Sequence, residues 1–510
     1  MPVPVAVVLL AAGRGVRMRS ARPKVLHEAA GKPLVDHVVA AARALLAGRP
    51  GSRLVVVAGA GREELIPHLA RTAPDAVVVV QDPPRGTGDA VRAALAALGD
   101  ATRVVVLAGD VPLLTAGTLA RLEGALDAGS GTGIAVLTAH LADAGSYGRV
   151  VRDGEGRFAR IVEAKDASPA ERAIGEINSG LYAFDRAVLE RQLPRLTDEN
   201  AQGEFYLTDV LGLAVEEGIG VVAIPAGDAS EVLGVNSRAE LAEVDALLRR
   251  RAALAAMAAG ATLVRPETIT LDEGVTFGPD AVVEPFVTIT GASSVGAGSR
   301  IGQGCVVASS TIGANVVVRP YCVIERAVVG DGAVVGPFAR LREGTDLGPE
   351  VHVGNFVETK KARLAKGAKA NHLTYLGDCS VGERTNVGAG VITCNYDGFG
   401  KHHTEIGAGV FVGSDVQLVA PVTVGDGAVV GAGATITKDV PAGALATSRV
   451  PQKTIEGGGA RYRERKTAEK AASPMAPGGK RNCWYSFSIR YSMRRGSSPR
   501  IISKMSRISS

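Results

Sequence analysis

The chain has 510 residues, 46% hydrophobic and 21% charged, an ordinary make-up for a globular protein with room for two or three domains. No run of 18 apolar residues offers a membrane span, and five cysteines without CxxC spacing exclude a disulfide scaffold or a zinc ribbon. The net charge of +5 is a poor guide to partners. From Arg461 to Ser510 there are 13 Lys and Arg against 2 Glu, so the tail carries +11 and the remaining 460 residues −6.

The first apolar run has no basic residues ahead of it and leads straight into a Gly/Arg loop. It therefore reads as the first core strand of a cytoplasmic protein rather than a signal segment. To about residue 235, apolar β-branched runs alternate with helix-like stretches. Strands are expected at Val5–Leu10, Leu54–Ala58, Ala76–Gln81, Val104–Leu107, Gly133–Thr138 and Val221–Ile224, with helices over Val35–Leu46 and Gly88–Leu98. That alternation predicts an α/β domain with a mostly parallel sheet and ligands at the C-terminal strand ends. Apolar residues then recur at helical spacing over 238–258, as in a linker helix.

From Phe277 the period becomes six. Aliphatic or aromatic residues fall at Phe277, Val283, Ile289, Val295, Ile301 and Val307. After a one-residue slip they resume at Ile312, and the pattern continues to Ile436. A short period held over about 160 residues marks a parallel β-helix, whose thin core admits Val and Ile but few rings. Aromatics make up only 4% of the chain. Gly often follows the apolar residue, as at Gly296, Gly302 and Gly354, and is expected there for its tolerance of strained angles at a corner. The repeat breaks at 356–376 and 393–405, which are read as two inserted loops projecting from the solenoid. The expected divisions are 1–237, a linker helix over 238–260, a β-helix over 261–457, and a disordered basic tail over 458–510.

The first strand opens into Leu10-Ala11-Ala12-Gly13-Arg14-Gly15-Val16-Arg17-Met18, followed by Arg22-Pro23-Lys24. Backbone N–H groups there can approach phosphate oxygens, and Arg17 and Lys24 add charge. The spacing is neither GxGxxG nor a Walker motif, and alone it is equally a turn with solvated arginines. Asp110 ends an apolar strand, where a metal ligand or a helix cap would stand. Gln81 ends another strand just before Gly86-Thr87-Gly88. In the second half, His372 lies in the first break of the repeat. A lone histidine is more often structural, but an imidazole on a loop that breaks a regular repeat can also serve as a general base. No Cys/His pairing points to an acyl-enzyme.

The segments LAAGRGVRM, RPKVLH, QDPPRGTGDA, LAGDVPLL, YGRVV, IVEAKDA, EINSGLYAF and GVNSR resemble the sugar-1-phosphate nucleotidyltransferases. Among these, the chain is most similar to the bifunctional bacterial N-acetylglucosamine-1-phosphate uridyltransferase/glucosamine-1-phosphate N-acetyltransferases, from about Val5 to Gly457. The resemblance implies a Rossmann-like nucleotidyltransferase domain followed by a left-handed parallel β-helix of hexapeptide repeats. It implies that Leu10, Ala11, Gly13, Gln81, Gly86 and Thr87 hold UTP, with Ala108 and Gly109 contacting ligand and Lys24 on phosphate. Some members carry Tyr where Ala108 stands, a contact expected through backbone. Gly148, Glu163, Asn178 and Asn236 would bind the amino sugar or the nucleotide product, with Mg²⁺ on Asp110 and Asn236. Arg17 and Lys24 would act in catalysis by neutralising charge.

For the second activity, the resemblance implies His372 as proton acceptor. Arg342, Lys360, Tyr375 and Asn386 would bind glucosamine 1-phosphate, and Ala389, Asn395, Tyr396, Ser414, Ala432 and Arg449 acetyl-CoA or the acceptor. Cys379 and Cys394 read as small core residues, with Cys394 placed to sensitise the site to thiol reagents. The resemblance further implies a homotrimer with acetyltransferase sites between subunits. Its two consecutive steps would yield UDP-N-acetylglucosamine for the bacterial envelope, with no specific nucleic-acid partner. A narrower reading keeps only the first half as an enzyme and the β-helix as an oligomerisation or regulatory scaffold. The breaks bearing His372 and Asn395-Tyr396, which a scaffold would not need, argue against it. For the tail, a weak anionic-surface contact and a shifted reading frame stand beside disorder.

Overall fold

The computed structural model describes residues 3–13, 15–127, 131–448 and 451–472. The N-terminal domain is built on a sheet whose strands are β1 (Val5–Ala11), β2 (Arg53–Ala58), β3 (Val77–Val80), β4 (Arg103–Ala108), β5 (Thr132–His140), β6 (Arg149–Arg152), β7 (Phe158–Val162), β8 (Glu176–Asp185) and β9 (Gly220–Pro225). The main row runs β9-β5-β8-β4-β1-β2-β3, with β6 joining β8 to β7. β1 is apolar on both faces because helices cover both, as in a parallel α/β sheet. Helix α1 (Leu34–Leu46) turns Leu34, Val35, Val38, Ala42 and Leu45 inward at helical spacing.

The six expected strands are present. β6, β7 and β8 were not foreseen as strands, and β8 runs antiparallel to both β4 and β5. Its register shifts between Asn178 and Tyr182, with Gly180 at φ +77°. Such a bulge re-aims side chains, and here it turns Asn178 and Gly180 to the mouth of the sheet. Helix α2 (Thr87–Ala94) begins directly at the Gly86-Thr87 turn, and α3 (Arg238–Ala258) is the expected linker helix.

Beyond α3 the chain winds as a left-handed parallel β-helix. In-register pairs such as Val283↔Ile301, Ile301↔Val318, Val318↔Val335 and Val335↔Val353 give coils of 17 or 18 residues, three hexads each. A 17-residue coil is the origin of the one-residue slip in the sequence. The paired aliphatics are buried in a single continuous core.

Two expectations are corrected. Residues 356–376 are not an inserted loop: Val353 pairs with Ala370 and Leu347 with Leu364, an ordinary coil. The period was hidden because Thr359 and Ala370 occupy core positions, Thr359 sharing a buried hydrogen bond with Thr345 (2.9 Å). The second break is a true insertion, since 25 residues separate the paired Cys379 and Thr404, against 18 from Thr404 to Val422. The corner glycines are also explained differently. Of those following the apolar residue, only Gly336 has positive φ. A Cβ at Gly296 would lie 2.4 Å from the backbone of Gly313, and one at Gly354 only 1.9 Å from the Asn371 carbonyl. Close approach of coils requires glycine here, and the left-handed residues stand two positions later.

The first coil docks on the N-terminal domain through a polar junction. Arg249 of α3 reaches Asp272 (2.9 Å) and Asp245 (2.8 Å), and Asp245 accepts the Ala30 N–H (2.7 Å). Glu273 meets His37 at 2.8 Å and Lys32 at 3.5 Å. Beyond residue 449 the described residues 451–472 belong to a second unit. Within it, Gly458–Ala472 forms a helix, α4, where the sequence reading expected no order. Its Arg, Lys, Glu and Ala residues are good helix formers, and Glu469 pairs with Lys466 (2.7 Å) and Arg465 (3.6 Å). The rest of the tail lies outside the described residues.

Two candidate active sites

A cleft of about 670 Å³ opens at the C-terminal ends of β1, β3 and β4. Leu10, Ala11, Gly13, Lys24, Gln81, Gly86, Thr87, Ala108, Asp110, Glu163 and Asn178, all named from the sequence, line it. Gly109 lies at the end of the same strand, its N–H bonded to the Leu10 carbonyl (2.9 Å). A Cβ at Gly13 would meet nothing within 4 Å, so that backbone faces open space. Gly15 has φ +58°, and a Cβ there would stand 2.7 Å from that of Lys24, so glycine lets the loop close over the lysine.

The Lys24 ammonium pairs with Asp110 and bonds to Asn236 Oδ1 at 3.0 Å. Two oxygens thus converge on one cation. Asn236 is held from behind, where its N–H donates to Glu240 (2.7 Å) and Ser237 caps α3. Gln81 spends its amide N–H groups on the Gly86 carbonyl (3.0 Å) and Asp89 (2.9 Å), which turns its oxygen away from both. Glu163 is half-buried beside the Gly148 corner, and desolvation raises its carboxyl above the ordinary range. Arg17 is exposed on a short 3-10 turn and is not brought to the cleft wall.

Several groups escaped the sequence reading. Tyr182 is buried with its hydroxyl on Asn178 (2.8 Å), and Tyr147 accepts the Gly234 N–H (3.0 Å) near Asp110. Both lie within the motifs already quoted. Glu204, Leu207 and Thr208 complete one wall, and nothing in their spacing announced it.

In the β-helix, His372 ends the strand Lys369–His372, and its Nδ1 meets Asn355 Oδ1 at 3.1 Å in the preceding coil. With the amide oxygen as acceptor, Nδ1 carries the proton and Nε2 keeps its lone pair. A cleft of about 220 Å³ lies beside it, lined also by Arg319, His352 and Asn371. The register Ala370↔Val387, Val387↔Val412, Val412↔Val430 carries the row from His372 through Ala389 and Ser414 to Ala432 at one corner. Asn386 lies on the strand leading to that corner.

The remaining residues gather at the next corner. Arg342 lies beside Lys360 of the following coil, the first paired with Glu358 (2.8 Å) and the second with Glu343 (3.2 Å). Tyr375 stands on the strand between the corners. Asn395 reaches Asp378 (2.5 Å), and Tyr396 is exposed at the base of the insertion. Arg449 lies outside the described residues. Burial pushes the Cys379 thiol up to about 12 and also raises that of Cys394, which disfavours the thiolate at both.

The family model described as MobA-like NTP transferase domain matches residues 7–176. The GMPPB C-terminal domain model matches 267–365, and the bacterial transferase hexapeptide model, of six repeats, matches 403–438. The bifunctional protein GlmU of Streptomyces avermitilis is 48% identical over 473 residues, covering 92% of this chain and 97% of that one. That of Streptomyces coelicolor is 48% identical over 476 residues, covering 93% and 98%. That of Trichlorobacter lovleyi is 46% identical over 453 residues, covering 89% and 97%.

Fold, clefts and likenesses together define a two-site transferase, a nucleotidyltransferase joined to a hexapeptide-repeat acyltransferase. The chain belongs to the GlmU family of bifunctional enzymes. It is a uridyltransferase in its N-terminal half and an acetyltransferase using acetyl-CoA in its C-terminal half, the two activities that make UDP-N-acetylglucosamine.

Proposed function

We propose that the larger cleft takes UTP on the side of Leu10, Ala11, Gly13, Gln81, Gly86 and Thr87, with Ala108 and Gly109 meeting the ligand through backbone. N-acetylglucosamine 1-phosphate lies on the side of Gly148, Glu163 and Asn178. A phosphate oxygen of the sugar attacks the α-phosphorus of UTP, and the bond to pyrophosphate breaks. That oxygen is already ionised, so the protein's task is alignment and charge neutralisation by Lys24 and by Arg17 from the loop. Asp110 and Asn236 suit Mg²⁺: both offer hard oxygen donors, and both already face a single cation in Lys24. Held there, the ion would supply positive charge against the triphosphate. The meeting of Lys24 with Asn236, 212 residues away, beside Asp110 is the observation that carries this reading.

In the second site, His372 Nε2 takes a proton from the amine of glucosamine 1-phosphate as that nitrogen attacks the thioester carbonyl of acetyl-CoA. The carbon–sulfur bond breaks, CoA leaves, and no acyl-enzyme forms. Arg342 and Lys360 hold the sugar phosphate with Tyr375 and Asn386 beside them. The row Ala389, Ser414 and Ala432 receives acetyl-CoA, with Asn395, Tyr396 and Arg449 completing the contacts.

The enzyme acts as a cytoplasmic homotrimer with domains at 1–237 and 261–457. Supporting self-association, exposed Tyr321, Phe338 and Phe356 stack at 5.5 Å spacing on the corner next to the His372 row. The described residues include no helix long and apolar enough to cross a membrane. Pyrophosphate release from UTP and N-acetylglucosamine 1-phosphate tests the first assignment. It should require Mg²⁺ and fail in Asp110→Ala, and Mg²⁺-independent release would overturn the metal assignment.

A further inference from the structure

We propose that His27 is a positioning residue for uridyl transfer. Its Nδ1 holds Arg238, and through Arg238 it keeps Asn236 in place when the Lys24 ammonium leaves Asn236 for the phosphates. This rests on the placement of Mg²⁺ on Asp110 and Asn236 given above. His27 closes the segment Arg22-Pro23-Lys24-Val25-Leu26-His27. Its N–H donates to the Lys24 carbonyl (3.1 Å), and the Leu26 N–H donates to that of Pro23 (3.0 Å), so Lys24–Leu26 is a single 3-10 turn. Val25 and Leu26 are buried, and the His27 carbonyl accepts from the Leu34 N–H (2.9 Å) at the start of α1. Lys24 and His27 thus stand three residues apart on one turn that is anchored in the core. Asn236 and Arg238 form the matching pair across the gap. There the Val235 N–H donates to the Asp110 carbonyl (2.9 Å), the Asn236 N–H donates to Glu240 (2.7 Å), and Arg238 is the first residue of α3.

Two side-chain bonds join these units. One runs from Lys24 Nζ to Asn236 Oδ1 (3.0 Å), the other from Arg238 Nη1 to His27 Nδ1 (3.2 Å). Their fates differ. Lys24 must give up Asn236 when a divalent cation is held there, since two cations at that spacing repel, and the triphosphate draws the ammonium the other way. The His27–Arg238 bond involves neither the metal's donors nor the ammonium, so it still spans the gap. A guanidinium can donate only to an unprotonated ring nitrogen, so this bond requires neutral His27. The surroundings favour that form, because burial, with Arg238 and Arg22 close by, lowers the imidazole below its ordinary 6.5. With Nδ1 accepting, the proton sits on Nε2, which is buried and has no hydrogen-bond partner among the described residues. Packing alone does not account for a buried ring that leaves its N–H unpaired, whereas the Nδ1 lone pair has a defined use.

The test reads metal binding as well as turnover. Mn²⁺ is titrated, with detection by electron paramagnetic resonance, into full-length enzyme saturated with the α,β-methylene analogue of UTP, which cannot release pyrophosphate. Mg²⁺ activation of pyrophosphate release from UTP is followed on the same preparations. His27→Phe fills the space without an acceptor, and Arg238→Leu removes the donor from a half-buried position. His27→Asn offers an amide oxygen near the place of Nδ1. His27→Phe and Arg238→Leu should each weaken Mn²⁺ binding about tenfold and raise half-activating Mg²⁺ to match, with kcat at saturating Mg²⁺ within about twofold of wild type. The double variant should be no worse than either single one, and His27→Asn should recover most of the affinity. Unchanged metal affinity in both single variants overturns the role of His27. So does a loss of kcat that neither saturating Mg²⁺ nor His27→Asn relieves, since the residue would then serve folding. An Mn²⁺ affinity that Asp110→Ala leaves unchanged overturns the metal placement itself, and the proposal with it.

Discussion

Lys24 shows how much a single residue can organise. It leaves the loop after β1 through a turn that needs glycine at Gly15, and its ammonium draws together Asp110 at the end of β4 and Asn236 at the start of α3. Removing the Asp110 carboxylate takes away one of the two oxygens facing that cation. Asp110→Ala should lower pyrophosphate release at least about 100-fold while leaving CoA release intact. Asn355 has the corresponding part in the β-helix, since its amide oxygen fixes which His372 nitrogen is basic. Asn355→Ala should lower kcat for acetyl transfer about 10- to 100-fold without touching uridyl transfer. Equal loss of both activities in either variant would mean that the residue serves folding rather than chemistry. Asn355 had no signal in the sequence, because it meets His372 only through the register between coils.

At the scale of elements, regular stretches could be read from the sequence and irregular ones could not. β1, β2 and β4 are long aliphatic runs buried on both faces, so composition alone finds them. β8 reads EINSGLYAFD, and its bulge at Asn178–Tyr182 breaks the alternation that would have marked a strand. The same bulge aims Asn178 at the cleft, so what hid the strand is what makes it useful. In the β-helix the six-residue period revealed the solenoid, but Thr359 and Ala370 in core places made an ordinary coil look like an insertion. The corner glycines separate two physical causes. Gly296→Ala would drive a Cβ to 2.4 Å from the next coil's backbone and should cost about 3 kcal/mol or more. At Gly427, φ is +64° with nothing within 4 Å, so Gly427→Ala should cost only about 1–2 kcal/mol. Thermal denaturation of the two variants orders them, and the reverse order would contradict close packing as the cause.

The whole molecule is held together at the junction of its domains. Glu273, at the first coil, meets His37 and Lys32 of the N-terminal domain, and these contacts hold its carboxyl at about 2, below the ordinary 4.5. The pair therefore stabilises the folded chain above about pH 4.5, and its contribution disappears as pH falls from there toward 2. The Glu273 side chain is 47% exposed, so solvent screening keeps the effect modest. Glu273→Gln should flatten the fall of Tm across that window, and an unchanged profile would remove the pair from the account. None of the residues assigned to either site lies beyond Gly457, so truncation there should leave both activities within a few-fold. Phe338→Ser, at the centre of the exposed aromatic stack, should weaken self-association in sedimentation.

The central claim is that two active sites share one chain, and CoA release tests it most directly. Acetyl-CoA and glucosamine 1-phosphate are given to the wild type and to His372→Ala, with uridyl transfer measured on the same samples. Release by the wild type that collapses in His372→Ala, while uridyl transfer is unchanged, is the expected result. CoA release that survives the loss of His372 would contradict its role as the base. No release from a wild type that still transfers uridylate would reduce the β-helix to a scaffold.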